Sequence, residues 1–174
     1  MSTPEPKRDL SKYRVTGYHP GRGKLVQVLW YVTNALIFNS QWFPFSALKV
    51  LLLRLFGARI GRGVNIKPLV RIKLPWRLSV GDHSWIGESV WIDNLAEVRI
   101  GSNCCISQGA YLCTGSHDHR SESFDLQVRP ITIEDGAWVC AKVVVLGGAV
   151  VAAHSVISAG SCVHKTRVSP APSE

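Results

Sequence analysis

The sequence predicts an all-β chain, a three-sided parallel β-helix entered through a short helical segment. Two observations carry this. Aliphatic residues recur every six positions from Ile60 onward, and a small or β-branched residue follows four places after nearly every one of them. A period of six suits neither an amphipathic helix nor a hairpin of two long strands. It suits strands of a few residues joined by tight corners, with one aliphatic pointing inward on each side. Three sides make a coil of about 18 residues, and stacked coils make a triangular prism.

Taken in order, residues 1–24 are polar and basic and carry Pro4, Pro6, Gly17, Pro20, Gly21 and Gly23, which reads as an extended arm. Residues 25–59 read as a helical segment. Leu25, Val28, Leu29, Val32 and Leu36 recur at helical spacing, Asn39–Gln41 interrupts, and Pro44 suits the first turn of a second helix through Phe56. The first apolar run is shorter than the ~20 residues that a bilayer span needs. Capping the open end of the prism is the expected role of this segment. Peripheral contact with a membrane is the second reading, since Lys7, Arg8, Lys12, Arg14, Arg22 and Lys24 stand beside it.

Residues 60–168 hold the repeats. Ile60, Ile66 and Ile72 open the count, followed by Val80, Ile86 and Ile92, then by Ile100, Ile106 and Leu112. After an interruption it restarts at Ile133 and runs through Val139, Val145, Val151, Ile157 and Val163. The second rule places Val64, Val70, Ser84, Val90, Ala96, Cys104, Ala110 and Ser116 at cramped corners, and only Trp76 breaks it before the tail. Short insertions fall near Leu78 and Val98, whereas residues 117–132 leave the prism wall altogether. Insertions in a repeat fold form loops, and this one holds His117, Asp118, His119, Arg120, Glu122 and Asp125, a natural place for a site. Residues 169–174 form a tail.

Composition narrows the function classes. The formal charge of +8 favours anionic partners such as phosphorylated cofactors or acidic lipid. It does not point to nucleic acid, because no aromatic–basic interleaving or recognisable module accompanies it. Five cysteines, Cys104, Cys105, Cys113, Cys140 and Cys162, form no C-x-x-C pair and no secretory signal precedes them, so reduced thiols in a cytoplasmic protein are expected. No metal is expected either: the cysteine spacing is wrong for zinc. The six histidines, at 19, 83, 117, 119, 154 and 164, include no two that lie five apart, as a metal-binding rival on the same prism would need.

The hexapeptides together with "TGSHD" at 114–118 and "PITIEDGAWV" at 130–139 resemble the hexapeptide-repeat acetyltransferases. Within them, "LLLRLFGARIG" at 51–61, "PWRLSVGDHSWIGE" at 75–88 and "LCTGSHDH" at 112–119 are similar to the colanic-acid-biosynthesis sugar O-acetyltransferase family, over roughly residues 10 to 168. The resemblance implies a left-handed β-helix, a homotrimer, and acetyl-CoA held between neighbouring prisms. It implies transfer of acetyl to a sugar or lipid-linked saccharide hydroxyl in exopolysaccharide synthesis, in the cytoplasm or peripherally on the inner membrane face.

The same resemblance places a catalytic histidine at His117. An alcohol needs a base to attack a thioester, and imidazole titrates near working pH. His119 is then a substrate contact or a solvated loop residue, and Asp118 or Glu134 is a candidate for orienting the imidazole. Ser89 falls where related sugar acetyltransferases carry an acceptor-placing Asn, which leaves nearby Asn94 as a further candidate. Ala141 and Ala159 match positions that pack pantetheine, Trp138 matches a Trp near that site, and Lys165 and Arg167 are placed to meet the CoA phosphates. The chain departs from the family at "SPAPSE", where a Gly-Asn-Pro-Ala-type continuation is usual. Serine- or antibiotic-type acetyltransfer and a non-catalytic β-helix scaffold are the alternatives.

Overall fold

A computed structural model describes residues 8–164 and, beyond them, the backbone of strand Arg167–Val168. Short parallel strands stack into three faces. The first face holds six strands: Arg59–Ile60, Leu78–Val80, Val98–Ile100, Ile131–Ile133, Val150–Val151 and Arg167–Val168. Five form the second, from Asn65–Ile66 through Trp85–Ile86, Cys105–Ile106 and Trp138–Val139 to Val156–Ile157. Five more form the third, Arg71–Ile72, Trp91–Asp93, Tyr111–Cys113, Val144–Leu146 and Cys162–Val163.

The sixfold count is the inner register of this prism. Ile60, Val80, Ile100, Ile133 and Val151 pair in one column. Ile66, Ile86, Ile106, Val139 and Ile157 form the second, and Ile72, Ile92, Leu112, Val145 and Val163 the third. All are buried. Burying such a side chain is worth roughly 1.5–3 kcal/mol, so these columns are the main source of stability.

Two corners turn through left-handed backbone at stacked positions. Gly63, His83, Asn103, Gly136 and His154 share one corner, with φ from 55° to 70°. Leu69, Ser89, Gly109, Lys142 and Gly160 share the next. The third corner differs from the expected rule. Arg59 pairs with Ser79 and Ser79 with Arg99, so the early coils take twenty residues, whereas Thr132 to Val150 takes eighteen. The extra residues let Leu74, Asn94 and Thr114 fill the interior there, and Ala96 and Ser116 are not buried.

Below the first coil lie helix α1 (Lys24–Thr33), a π-helical turn at Asn34–Phe38, and helix α2 (Ser46–Leu55). Phe45 is extended at the N-cap of α2, so Pro44 lies just ahead of the first turn instead of within it. Trp30, Phe38, Val50 and Leu53 are buried against coil residues. Side chains of this segment also supply the hydrogen bonds that a further coil would have made. Trp30 Nε1 donates to Ile72 O at 2.8 Å, and Asn34 Oδ1 accepts from Ile72 N. Ser46 Oγ accepts from Ile66 N and donates to Val64 O. Lys49 Nζ donates to Lys67 O at 2.9 Å, and Arg54 donates to Ile60 O and Gly61 O.

The expected apolar stripe of the first helix faces the other way. Leu25, Val28, Leu29, Val32 and Leu36 are exposed, and Trp30 and Phe38 do the packing. The basic arm is not simply extended either. Asp9 caps a single 3-10 turn at Leu10–Lys12, and that turn lies against the excursion loop.

Candidate active site

The excursion leaves the prism two residues earlier than the repeat count suggests. Gly115–His117 pairs antiparallel with Leu126–Val128, with His117 opposite Leu126, and the chain rejoins the first face at Ile131. A two-stranded ribbon therefore carries His117 at the end of its outgoing strand. Its tip is tied by its own polar groups: Asp118 accepts from Arg120 N, and Asp125 accepts from Ser121 Oγ and Ser123 Oγ. Those two hydroxyls hold the Asp125 carboxyl below its ordinary range.

The His117 imidazole is held on three sides. Its Nδ1 lies 2.9 Å from Phe124 O. A carbonyl only accepts, so Nδ1 carries a proton, and in the neutral ring Nε2 is the nitrogen with the lone pair. The Phe124 ring lies flat on the imidazole, 4.3 Å between centroids and 2° between planes. Tyr13 of the arm meets it edge-on at 5.5 Å. Phe124 adopts φ 52°, a left-handed conformation that costs an aromatic residue about 1–2 kcal/mol. That conformation aims its carbonyl back at His117.

The arm fastens this assembly from outside. Asp9 N donates to Glu122 O at 2.9 Å, and Lys12 Nζ lies 2.5 Å from Glu122 Oε1. The Arg8 guanidinium stands 4.9 Å over the Phe124 ring. A cavity of about 360 Å³ opens beside His117, lined also by Thr114, His119, Arg129, Gly147 and His164. Among the described residues Arg129 lines it and no carboxylate does, which suits an anionic ligand.

Other candidates lie elsewhere. Asp118 is occupied at the ribbon tip, and Glu134 Oε2 accepts from Ala153 N, so the carbonyl of Phe124 orients the imidazole in their place. Asn94 is fully buried, and its amide closes on both Leu74 N and Leu74 O. It clasps two coils together and, fully buried, presents no surface to an acceptor. Ser89 is a left-handed corner residue on the far edge of the third face from His117. Ala141 and Ala159 flank that same corner, with Gly160 N donating to Ala141 O. Trp138 projects from the second face, with Nε1 bonded to Ser107 Oγ. Within one chain, then, the cofactor candidates and His117 occupy different edges. Lys165 lies outside the described residues, and Arg167 is described only as backbone paired with Val150.

Comparison with known proteins fits this geometry. No protein-family model matches the chain. A protein of Escherichia coli K12 named colanic acid biosynthesis acetyltransferase WcaF is 41% identical over 162 residues, covering 91% of this chain and 87% of its own length. The chain belongs to the colanic acid biosynthesis acetyltransferase family.

The family's prism recurs in solved hexapeptide-repeat acetyltransferases. One from Vibrio cholerae O1 biovar eltor, complexed with acetyl coenzyme A, is 24% identical with a TM-score of 0.72, covering 81% of this chain and 77% of its own. The maltose O-acetyltransferase of Clostridium difficile 630 is 21% identical with a TM-score of 0.68, covering 85% and 81%. The stretch 112–119 runs from the third face of the prism onto the ribbon that bears His117. Tyr13, Phe124 and Arg129 had no signal in the sequence beyond lying in polar stretches. Only the fold brings the first two to the imidazole and the third to the cavity. Among the described residues, no group of three or more His, Cys, Asp and Glu side chains is arranged to hold a metal.

Proposed function

We propose that this chain is an acetyl-CoA-dependent O-acetyltransferase acting on a sugar or lipid-linked saccharide hydroxyl in exopolysaccharide synthesis, with His117 as general base. The observation that carries the reading is the bond between His117 Nδ1 and Phe124 O, which makes Nε2 the lone-pair nitrogen of the neutral ring, on a side chain that lines the cavity. Acetyl-CoA supplies the thioester carbonyl and the leaving thiol. His117 Nε2 takes the acceptor hydroxyl proton as the carbon–oxygen bond forms, then returns it to sulfur as the carbon–sulfur bond breaks. Transfer is direct, with no acyl-enzyme. Stacking on Phe124 fixes the plane in which the lone pair points, so little orientation is left to be found in the transition state.

The polyanionic co-substrate fits a cavity whose described lining carries Arg129 and no carboxylate. Trp138, Ala141 and Ala159 line a route for it only if a neighbouring copy brings that edge to His117. This supports a homotrimer of left-handed prisms, with each site shared by two chains. The outer side of the second face agrees: Trp85, Trp138 and Val156 stand there about half exposed. Ser89 and His119 remain candidates for acceptor contact in such a shared site. Free thiols at all five cysteines agree with a cytoplasmic setting.

The test is thiol release from acetyl-CoA with a panel of saccharides, run on the wild type and His117→Ala, beside acetyl-CoA calorimetry on both. Retained binding with release lowered roughly 10²–10⁴-fold is expected of a general base. Equal release by both proteins sinks the assignment.

A further inference from the structure

The largest feature that acetyl transfer leaves unused is the outer side of the helical segment. On α1 and the turn after it, Leu25, Val28, Leu29, Val32 and Leu36 are 48–72% exposed. On α2, Leu48, Leu51 and Leu55 are 41–72% exposed. Steps of three and four residues put each set on one stripe, and the opposite side of each helix is the one that covers the first coil. Trp42, in the link between them, is 93% exposed. Exposed apolar stripes of this kind mark an interaction site.

Charge identifies the occupant. From Leu10 to Gly81 the chain has twelve Lys and Arg and no Asp or Glu. Arg22 and Lys24 are exposed at the start of α1. Lys12, Arg59, Arg62 and Lys73 pair with carboxylates from outside this span, but the helical segment itself contains only basic charge. A basic segment that also presents leucine stripes and an exposed Trp matches a flat surface that is both anionic and apolar underneath. Among the described residues no helix is long and apolar enough to cross a membrane, so the segment would lie along the surface. We propose that α1 and α2 dock this protein on an anionic lipid bilayer, stripes inserted below the headgroups and Arg22 and Lys24 at the phosphates. This surface uses no residue of the His117 site, and its failure would leave the acetyltransfer reading intact.

The experiment is cosedimentation of the full chain with phosphatidylglycerol–phosphatidylcholine vesicles and with pure phosphatidylcholine. It compares the wild type with Leu29→Glu/Leu36→Glu and with Arg22→Glu/Lys24→Glu, with light scattering on each protein alone. All four side chains are exposed, so the thermal midpoint and thiol release with a soluble saccharide should be kept. Expected is wild-type binding to the anionic vesicles that weakens at least ~tenfold in both variants, in high salt and on neutral vesicles. No wild-type binding, or undiminished binding by the leucine variant, overturns the proposal. Loss of a wild-type oligomer in the leucine variant also overturns it, because the stripes would then be an interface between copies.

Discussion

Tyr13 stands edge-on to the His117 imidazole, 5.5 Å between centroids and 60° between planes, across more than a hundred residues of sequence. An aromatic pair of this geometry is worth about 0.5–1.5 kcal/mol beyond its buried area. Under the proposed mechanism the arm acts on catalysis by holding a ring in place. Tyr13→Ala should lower kcat by up to about tenfold and leave acetyl-CoA binding unchanged, and Tyr13→Phe should restore it. Steady-state kinetics on the three proteins checks this. Equal loss in the Phe variant would assign the effect to the hydroxyl.

Asn94 was one of the candidates for acceptor contact, with Ser89, Asp118 and His119, and its amide is bonded at both ends to Leu74. Asn94→Ala strands the buried Leu74 N–H, at roughly 1–3 kcal/mol, while Leu74 O keeps its bond from Arg77 N. The thermal midpoint should fall by about 2–12 °C. At temperatures where the variant is folded, its KM for the saccharide should match the wild type. A KM change without a stability change would return Asn94 to the site.

Burial pushes the Lys49 ammonium below its ordinary value. The folded state then binds fewer protons than the unfolded chain between that lowered pKa and 10.5, so stability rises with pH through this window. The slope from this one group is at most about 1.4 kcal/mol per pH unit. Urea unfolding from neutral pH to pH 10 should show this rise in the wild type and not in Lys49→Met. Parallel curves would mean that the bond to Lys67 O offsets the effect of burial on the ammonium.

At Gly136, φ is +70° and an added Cβ would lie 2.4 Å from His154 Nδ1 in the next coil. Gly136→Ala should be destabilised both by the left-handed backbone, about 1–2 kcal/mol, and by the clash. His154→Ala should relieve only the clash. A double-mutant cycle measured by denaturant melts should therefore show positive coupling that recovers part of the loss. Strict additivity would mean that His154 swings clear without cost.

The inner columns were legible because a hexapeptide period has one physical meaning, and Ile106 or Val139 can be assigned inward from spacing alone. The helices were legible only in part. Spacing finds the stripe of Leu25, Val28, Leu29, Val32 and Leu36, but it does not say whether coil or solvent meets it. Trp30, off that stripe, turned out to be the packing residue. Asn94 misled because a buried amide and a ligand-binding amide are the same letter. Phe124 gave no sign because a left-handed φ is announced by Gly or Asn, seldom by an aromatic residue. The exit point of the ribbon shifted because Gly115 and Ser116 continue the small-residue pattern while already pairing with Val128 and Gln127.

A ladder of parallel strands has no natural length, since every coil offers the next molecule the same row of open amides and carbonyls. Trp30, Ser46, Lys49 and Arg54 occupy that row at the first coil, which makes them a stop codon written in side chains. Their loss would matter less for the melting point than for what happens after it is approached. A prism stripped of Lys49 and Arg54 presents a bare template that another copy's edge strand can join, and end-to-end growth follows the rules of cross-β assembly. The helical segment thus sets where the molecule ends as much as how well it holds together.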